Sequence, residues 1–198
     1  MSAHAADVII VGGGIMGAAT AFFLAQRGRS VVLLERDLVG THASATNFGN
    51  VRRQGRFLPQ LPLANRSREI WGRLPELIGE DVEFLPSGHI RVAYRAEDAA
   101  SLEEYARDAL AYELELEILS GNALRARFPF LSTEVVAGSY APHDGHANPR
   151  LAAPAFARAA RRAGATILEG TEVLSVEKAG EDFVVEARGA GTLRAPVV

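Results

Sequence analysis

Three glycines and one glutamate have the types and the spacing that could hold a dinucleotide. Gly12, Gly14 and Gly17 form the pattern G-x-G-x-x-G. In this pattern the first glycine allows a tight turn, the second lets the backbone approach a pyrophosphate, and the third permits close packing of a helix on a strand. Glu35 follows 18 positions after Gly17, where its carboxylate could accept hydrogen bonds from ribose hydroxyls. Its negative charge would repel a 2′-phosphate, so we expect NADP to be disfavoured.

The segments around these residues predict the unit that such a site needs. Residues 8–11 are a short β-branched run, residues 15–27 have a helical composition, and residues 30–35 form a second apolar run. A strand, a helix and a strand joined by short connections indicate a parallel βαβ unit with a right-handed crossover. The alternative interpretation is an ordinary glycine turn and a surface glutamate that bind no ligand.

The same stretch also raises the possibility of a membrane span, because residues 8–25 contain no charged side chain. Three consecutive glycines disfavour a single long helix. The first seven residues lack the cationic region of a secretion signal and include Asp7. We therefore expect no transmembrane segment and a cytoplasmic protein, with peripheral association at the inner membrane left open.

Composition excludes several classes of function. The 198 residues contain no cysteine, which excludes disulfides, thiolate metal sites and a cysteine nucleophile. The formal net charge of −3 gives no reason to expect a nucleic acid as the partner. No spacing of histidines and carboxylates matches a strong metal-binding template, so we expect no metal site.

The rest of the chain predicts further elements and two domains. We expect a helix over 62–78, two strands within 83–94, a helix over 96–112, a helix from Asn148 and Pro149 to about Ala163, and strands over 165–168, 172–178 and 183–188. Hairpin and helix elements thus interrupt the parallel βαβ unit, which resumes with the strand that begins at residue 165. We assign 1–56 and 141–198 to a dinucleotide-binding domain and 57–140 to an inserted domain. Because 193–198 is a β-type segment with no turn after it, we expect the chain to be the N-terminal part of a larger protein.

Two further stretches carry a resemblance to a known family. The pattern Ser44-x-x-Asn47-x-Gly49-Asn50-Val51, and the run from Asp144 to Pro149 with Thr171-Glu-Val173 after it, are similar to segments of the D-amino-acid oxidase superfamily of FAD-dependent oxidoreductases. That superfamily includes glycine and sarcosine oxidases, D-amino-acid dehydrogenases, and the flavin subunits of D-hydroxyproline and opine dehydrogenases. The resemblance is strong at the glycine loop and weak over 57–131.

The resemblance implies an α/β fold with a Rossmann-like FAD-binding domain of the GR2 type and part of an inserted α+β substrate domain. It implies FAD as the cofactor, with Val173 contacting adenine through its backbone and the catalytic residues lying beyond Val198. The implied cofactor-binding residues are Gly12, Gly14, Ile15, Met16, Gly17, Glu35, Arg36, Ser44, Asn47, Phe48, Gly49, Asn50 and Val173.

The implied activity is oxidation of the C–N bond of an amino acid or secondary amine, such as glycine, sarcosine, a D-amino acid or D-hydroxyproline. A hydride passes to the flavin, and the imine is then hydrolysed. The partners would be this small substrate and an electron acceptor or partner subunit. Two alternatives stay open. One is a non-catalytic dinucleotide-binding fragment or subunit that needs a partner, and the other is an NAD-dependent dehydrogenase.

Several other side chains have a functional and a structural interpretation. Arg52, Arg53 and Arg56 could recognise a carboxylate or stabilise reduced flavin, but charge runs are common on surfaces, which favours solvated charges. We interpret His143, Asp144 and His146 as part of the loop and cap before the following helix, in preference to a metal site. We expect His42 and His89 to pack against the protein or to face water. The tyrosines 94, 105 and 112, together with Trp71, are predicted to belong to the core.

Overall fold

The computed structural model describes residues 4–198. Residues 1–3, with which the predicted dinucleotide-binding domain begins, lie outside the described residues. The strands are β1 His4–Ala5, β2 Val8–Val11, β3 Val31–Leu34, β4 Asn50–Val51, β5 His89–Ala93, β6 Glu117–Ser120, β7 Ala137–Ala141, β8 Gly145–His146, β9 Thr166–Leu168, β10 Val173–Ala179, β11 Asp182–Ala187 and β12 Gly191–Ala195. The helices are α1 Ile15–Ala25, α2 Leu61–Gly72, α3 Leu74–Ile78, α4 Ala96–Ala109, α5 Gly121–Arg127 and α6 Pro149–Arg162. Short 3₁₀ turns cover Leu58–Gln60 and Leu110–Tyr112.

These elements form two units. The first comprises the described residues up to Phe48, together with Pro75–Val82 and Asn148–Val198, and the second comprises Gly49–Leu74 and Glu83–Ala147. In the chain, both segments of the second unit therefore lie between segments of the first. Assignment of the first unit to cofactor binding and of the second to the substrate stays a prediction.

The first unit is built on the predicted parallel βαβ arrangement. Strands β2, β3 and β9 form a parallel sheet in that order, and α1 lies between β2 and β3 in the chain. Strand β3 is almost completely buried, as expected for a continuous apolar run covered on both faces. A second sheet has the order β1, β12, β11, β10. Its buried side chains share a core with those of the parallel sheet: Ile9, Leu34, Val185, Leu193 and Ala195.

Small side chains bring two helices of the first unit together. Helix α1 packs on α6, and seven residues of α6 are buried, of which six are alanines. Aromatic rings of the two helices are also in contact, with the centroids of Phe22 on α1 and Phe156 on α6 5.9 Å apart. Asn148 begins α6 by accepting a hydrogen bond from Arg150 N at 3.0 Å, so the predicted Asn-Pro helix start is confirmed.

The second unit carries an antiparallel sheet in the order β5, β7, β6 and a short antiparallel pair of β4 with β8. Two of our predictions are wrong here. Residues 83–94 contain one strand, β5, because Leu85 pairs with His146 instead of with β5. Tyr94 does not belong to the core, since it is 54% exposed.

The prediction of one continuous helix over 62–78 is also wrong. It is divided into α2 and α3 at Arg73, which has φ −125° and ends α2. Pro75 follows two residues later. A proline has no N–H to donate to the carbonyl four residues earlier, here that of Trp71, and its ring crowds that carbonyl, which explains an interruption close to this point. Within residues 4–198 no helix combines the length and the apolar character that crossing a membrane requires.

Glu80 holds the Pro75–Val82 segment on α6 within the first unit. Arg158 Nε donates to both carboxylate oxygens of Glu80, at 3.2 and 3.0 Å, and Arg162 Nη1 donates to Oε1 at 3.0 Å. These hydrogen bonds, with that from Arg158 as the largest cause, lower the pKa of Glu80 below its ordinary value of 4.5. The ionised form is therefore the one that stabilises the fold.

We predict that Glu80→Gln lowers the free energy of unfolding by about 1 kcal/mol at pH 7, since the network is partly exposed. The difference from the wild type should shrink as the pH falls below 4.5, the ordinary glutamate value, because Glu80 of the wild type then becomes protonated as well. Chemical denaturation from pH 7 to pH 3 measures both effects. Glu181→Gln, in an exposed turn, is the control, and a difference that is independent of pH would contradict the prediction.

Candidate functional site

The glycine turn joins β2 to α1 in a form that requires glycine at two positions. Gly12 has a φ of +102°, which residues with a side chain rarely adopt, and its N–H donates to Leu34 O at 2.8 Å. A Cβ on Gly17 would overlap the carbonyl oxygen of Gly12. The first turn of α1 therefore approaches the glycine turn as closely as backbone atoms allow, as the sequence pattern predicts.

Ser44 is brought to the N-terminus of α1. Its Oγ accepts a hydrogen bond from Ile15 N at 2.9 Å, and Gly14, the N-cap residue, has no side chain that could do so. Asn47 Nδ2 donates to the carbonyl oxygens of Ala43 and Ser44 at 3.1 and 3.0 Å, which fixes the turn that carries Ser44. Two segments that lie far apart in the sequence thus meet at a helix end, where backbone N–H groups and the helix dipole favour an anion.

Glu35 is a buried carboxylate held by backbone N–H groups. It is 7% exposed, its Oε2 accepts from Gly13 N at 2.6 Å, and its Oε1 accepts from Asp37 N at 2.9 Å. An ionised carboxylate offers about four acceptor positions. Each oxygen of Glu35 therefore keeps capacity for one further donor, such as a ribose hydroxyl.

A cavity of about 330 Å³ lies beside Glu35 in the first unit. Four of the predicted residues line it, namely Gly12, Glu35, Arg36 and Val173. Val173 begins β10 at a register irregularity in the pairing with β11. Five further lining residues are absent from the predicted set: Val11, Leu34, His42, Thr171 and Glu172. Thr171 and Glu172 belong to the segment Thr171-Glu-Val173, of which only Val173 was assigned to the cofactor, and Val11 and Leu34 adjoin Gly12 and Glu35 in the chain. His42 reaches the cavity from the loop after β3.

His42 and Asp37 form a pair at the edge of this cavity. His42 Nε2 lies 2.7 Å from Asp37 Oδ2, and both side chains are more than half exposed. The bond from His42 is the largest cause that lowers the pKa of the Asp37 carboxyl. Ligand atoms of Glu35, Asp37 and His42 lie within 4.8 Å of one another. Exposed acidic groups such as Asp37 are common without an ion, so this proximity alone assigns no metal to the group.

The remaining predicted residues are divided between the units. Met16 on the first turn of α1 is 79% exposed, and Phe48 is 93% exposed. Gly49 and Asn50 belong to the second unit, where Gly49 O accepts from Ala147 N at 2.9 Å and Asn50 pairs with His146. Whether any of these residues contacts a cofactor stays a prediction.

Asp144 organises the arginine-rich loop in the second unit. It is fully buried. Its Oδ2 accepts from Arg53 N at 2.7 Å and from Gln54 N at 3.1 Å, and its Oδ1 accepts from Arg53 Nε at 2.9 Å. The interpretation of Arg53 as a solvated charge is therefore wrong, because its side chain is 13% exposed and paired. Asp144 is a buried anchor for residues 53 and 54, and helix capping is done by Asn148.

Gln54 extends this buried network to the central sheet of the second unit. It is fully buried, its Nε2 donates to His89 O at 2.6 Å and lies 2.9 Å from His89 Nδ1, and Ser139 Oγ donates to its Oε1 at 2.8 Å. Burial is the main cause that lowers the pKa of His89. His89 therefore packs, as expected.

Comparison with known proteins gives one family. The family model described as DAO, FAD dependent oxidoreductase, matches residues 7–198. The chain is 34% identical to glycine oxidase of Geobacillus kaustophilus over 98% of this chain and 54% of that protein, and 29% identical to a subunit of opine oxidase of Rhizobium meliloti over 97% and 55%. Among solved structures, L-proline dehydrogenase from P. horikoshii has a TM-score of 0.91 at 26% identity, covering 99% of this chain and 52% of that one. The chain thus spans about half the length of these relatives.

We predict that Asp144→Asn destabilises the second unit by about 3 kcal/mol, because it leaves the Arg53 charge and two backbone N–H groups without their buried anionic acceptor. Asp108→Asn, on an exposed position of α4, should stay within about 0.5 kcal/mol of the wild type. Chemical denaturation followed by far-UV circular dichroism measures both. Equal stability of the two variants would show that Asp144 does not anchor the loop.

Proposed function

The chain belongs to the DAO family of FAD-dependent oxidoreductases, and from this premise we propose that its first unit binds the adenosine diphosphate half of FAD. The family assigns FAD as the cofactor, so the prediction of FAD in preference to NAD is confirmed. The observation that carries the proposal is the arrangement of Glu35, which is buried, ionisable and adjacent to the glycine turn, with acceptor capacity left on both oxygens.

The residues fit this cofactor by their chemistry. Glycine at positions 12 and 14 gives the turn no side chain there, which would let its backbone approach a pyrophosphate. Ser44 supports the first turn of α1, whose N-terminus favours phosphate. We assign the ribose to Glu35, the pyrophosphate to the turn between Gly12 and Gly17, and adenine to the cavity that reaches Val173.

We further propose that the protein oxidises the C–N bond of an amino acid or secondary amine. When FAD is bound, it would accept a hydride equivalent from the carbon atom that carries the nitrogen. The names of the relatives support this class, since they include glycine oxidase and N-methyl-L-tryptophan oxidase, the latter 26% identical over 90% of this chain. The role of the residues described here is to hold and orient the cofactor.

A second candidate is a subunit that works with a partner chain. The relative named as a subunit of opine oxidase supports it. Dye reduction assayed with glycine, sarcosine, D-amino acids and D-hydroxyproline separates the candidates. Turnover by this chain alone supports the enzyme, whereas FAD binding with turnover only after a partner is added supports the subunit.

We predict that the purified chain binds FAD and that Glu35→Ala weakens this binding at least about tenfold, because hydrogen bonds to a charged acceptor contribute about 1.5–3 kcal/mol. ADP should lose affinity to a similar extent, whereas FMN, which lacks the adenosine, should bind no more weakly than to the wild type. Flavin fluorescence, with ADP as the competitor, measures these affinities.

Glu177→Gln, on an exposed position of β10, is the control for this series and should bind FAD as the wild type does. Thermal unfolding of Glu35→Ala separates loss of affinity from loss of fold. Unchanged FAD affinity in a folded Glu35→Ala variant would remove Glu35 from the site.

A further inference from the structure

The loop after β3 is held from two sides in the first unit. Gly40 N donates to Gly13 O of the glycine turn at 3.0 Å. From the other side, Glu169, which follows β9, accepts a hydrogen bond from Val39 N with its Oε1 at 2.8 Å. Glu169 and Val39 are 130 positions apart in the chain, so no local sequence pattern could indicate this contact.

Val39 packs directly against the glycine turn. It is buried, and a Cβ placed on Gly13 would come within 2.8 Å of Val39 Cγ2 and 3.0 Å of Glu35 Cβ. The backbone at Gly13 thus lies against both side chains, and its N–H is the donor to Glu35 Oε2. A displacement of Val39 would therefore remove support from the turn that holds the Glu35 carboxylate.

Beyond Val39, the same loop forms a second cavity beside the glycine turn. Its volume is about 140 Å³, and it is lined by Gly14, Glu35 and residues 40–44. Ser44, at the end of this segment, accepts the hydrogen bond from Ile15 N at the start of α1. Within residues 4–198, the lining of this cavity and of the one that reaches Val173 does not include Glu169. Glu169 can therefore affect a ligand in either cavity only through the loop.

Arg161 on α6 orients the carboxylate of Glu169. Arg161 Nη2 donates to Glu169 Oε2 at 2.9 Å and to Ile167 O at 3.3 Å, which leaves Glu169 Oε1 to Val39 N. The Arg161 and Glu169 side chains are 42% and 30% exposed, so the ion pair itself contributes little to stability. The bond from Val39 N is the largest cause that lowers the pKa of Glu169, and the bond from Arg161 is the next.

We propose that Glu169 is a positioning residue for the adenosine diphosphate site, and that it acts by fixing Val39 against the glycine turn. This assignment rests on the proposed function. Without Glu169, Val39 N would be a donor with no acceptor, and the loop would open to give it access to water. Because only the closed loop presents the site, the apparent affinity for a ligand falls in proportion to the population of the closed loop.

Isothermal titration calorimetry with ADP, together with hydrogen exchange followed by mass spectrometry, tests this role. We expect Glu169→Ala to raise the ADP dissociation constant about fivefold. Backbone exchange over residues 37–41 should become at least about tenfold faster, because the opening is local. Exchange in α1 and α6 should stay as in the wild type, and ADP should slow the exchange of residues 37–41 again.

Glu80→Ala is the matched structural control. Glu80 also pairs with arginines of α6, namely Arg158 and Arg162, but it holds the segment 75–82 instead of the loop after β3. Its replacement should lower the free energy of unfolding and leave both the ADP affinity and the exchange of residues 37–41 unchanged. Equal losses of ADP affinity in Glu80→Ala and Glu169→Ala would reflect a general loss of stability and would overturn the proposal.

A double variant separates the hydrogen bond to Val39 from the ion pair. In Arg161→Gln/Glu169→Gln, the amide at position 169 can donate to the amide oxygen at position 161 and keep its own oxygen for Val39 N. The ADP affinity of this variant should lie within about twofold of the wild type, because the acceptor is retained. An ADP affinity as low as that of Glu169→Ala would contradict the role of this hydrogen bond.

The two measurements also separate this inference from the proposed function. Equal ADP affinity in the wild type and in folded Glu169→Ala rejects the role of Glu169 and leaves the cofactor assignment intact. Absence of both ADP and FAD binding in the wild type rejects the proposed function and, with it, any role of Glu169 toward the cofactor. Exchange over residues 37–41 that is the same in Glu169→Ala and in the wild type shows that Glu169 does not hold the loop.

Discussion

The first unit depends on the contact between the backbone at Gly12 and the first turn of α1 at Gly17. A side chain at position 17 would overlap the Gly12 carbonyl oxygen, so the helix can begin this close to the end of β2 only with glycine there. In the same turn, Gly13 donates its N–H to Glu35 Oε2 at 2.6 Å. The glycine pattern is therefore required for the packing of α1 on the turn after β2, and we assign it to cofactor binding because of that packing.

The sequence predicted elements whose signals are local. The Asn148–Pro149 helix start, the parallel strands around the glycine turn, and the strands predicted over 172–178 and 183–188 depend on residues close in the chain, and the structure has them. Features decided by distant residues were missed. Leu85 pairs with His146, and nothing near Leu85 in the sequence indicates this partner. In a similar way, Tyr94 follows the end of β5, where a strand pattern no longer decides burial.

The prediction of site residues was also limited to those that local sequence patterns indicate. The sequence pattern named residues that act through their own backbone or by fixed spacing, such as Gly12, Gly17 and Glu35. It did not assign His42, which lines the cavity beside Glu35 from the loop after β3, or Thr171, which lies in the segment that contains Val173 but was not itself assigned. Nor could it assign Asp144, whose bonds to Arg53 and Gln54 span 91 and 90 positions in the chain. Spacing shows which residues are neighbours on one element, whereas burial of a carboxylate depends on what the remainder of the chain places around it.

Glu35 and Asp144 solve one physical problem in the same way. A buried carboxylate is costly unless hydrogen bonds compensate its charge. Glu35 accepts one backbone N–H from the glycine turn and one from the loop after β3, and Asp144 accepts two from the loop that carries Arg53. The compensation fixes the loop as strongly as it stabilises the charge, because moving the backbone would expose an uncompensated anion. In the first unit the fixed loop includes the glycine turn, and in the second it carries arginines. A buried negative charge thus orders a loop in each unit, at Gly13 of the glycine turn in the first and at residues 53 and 54 in the second.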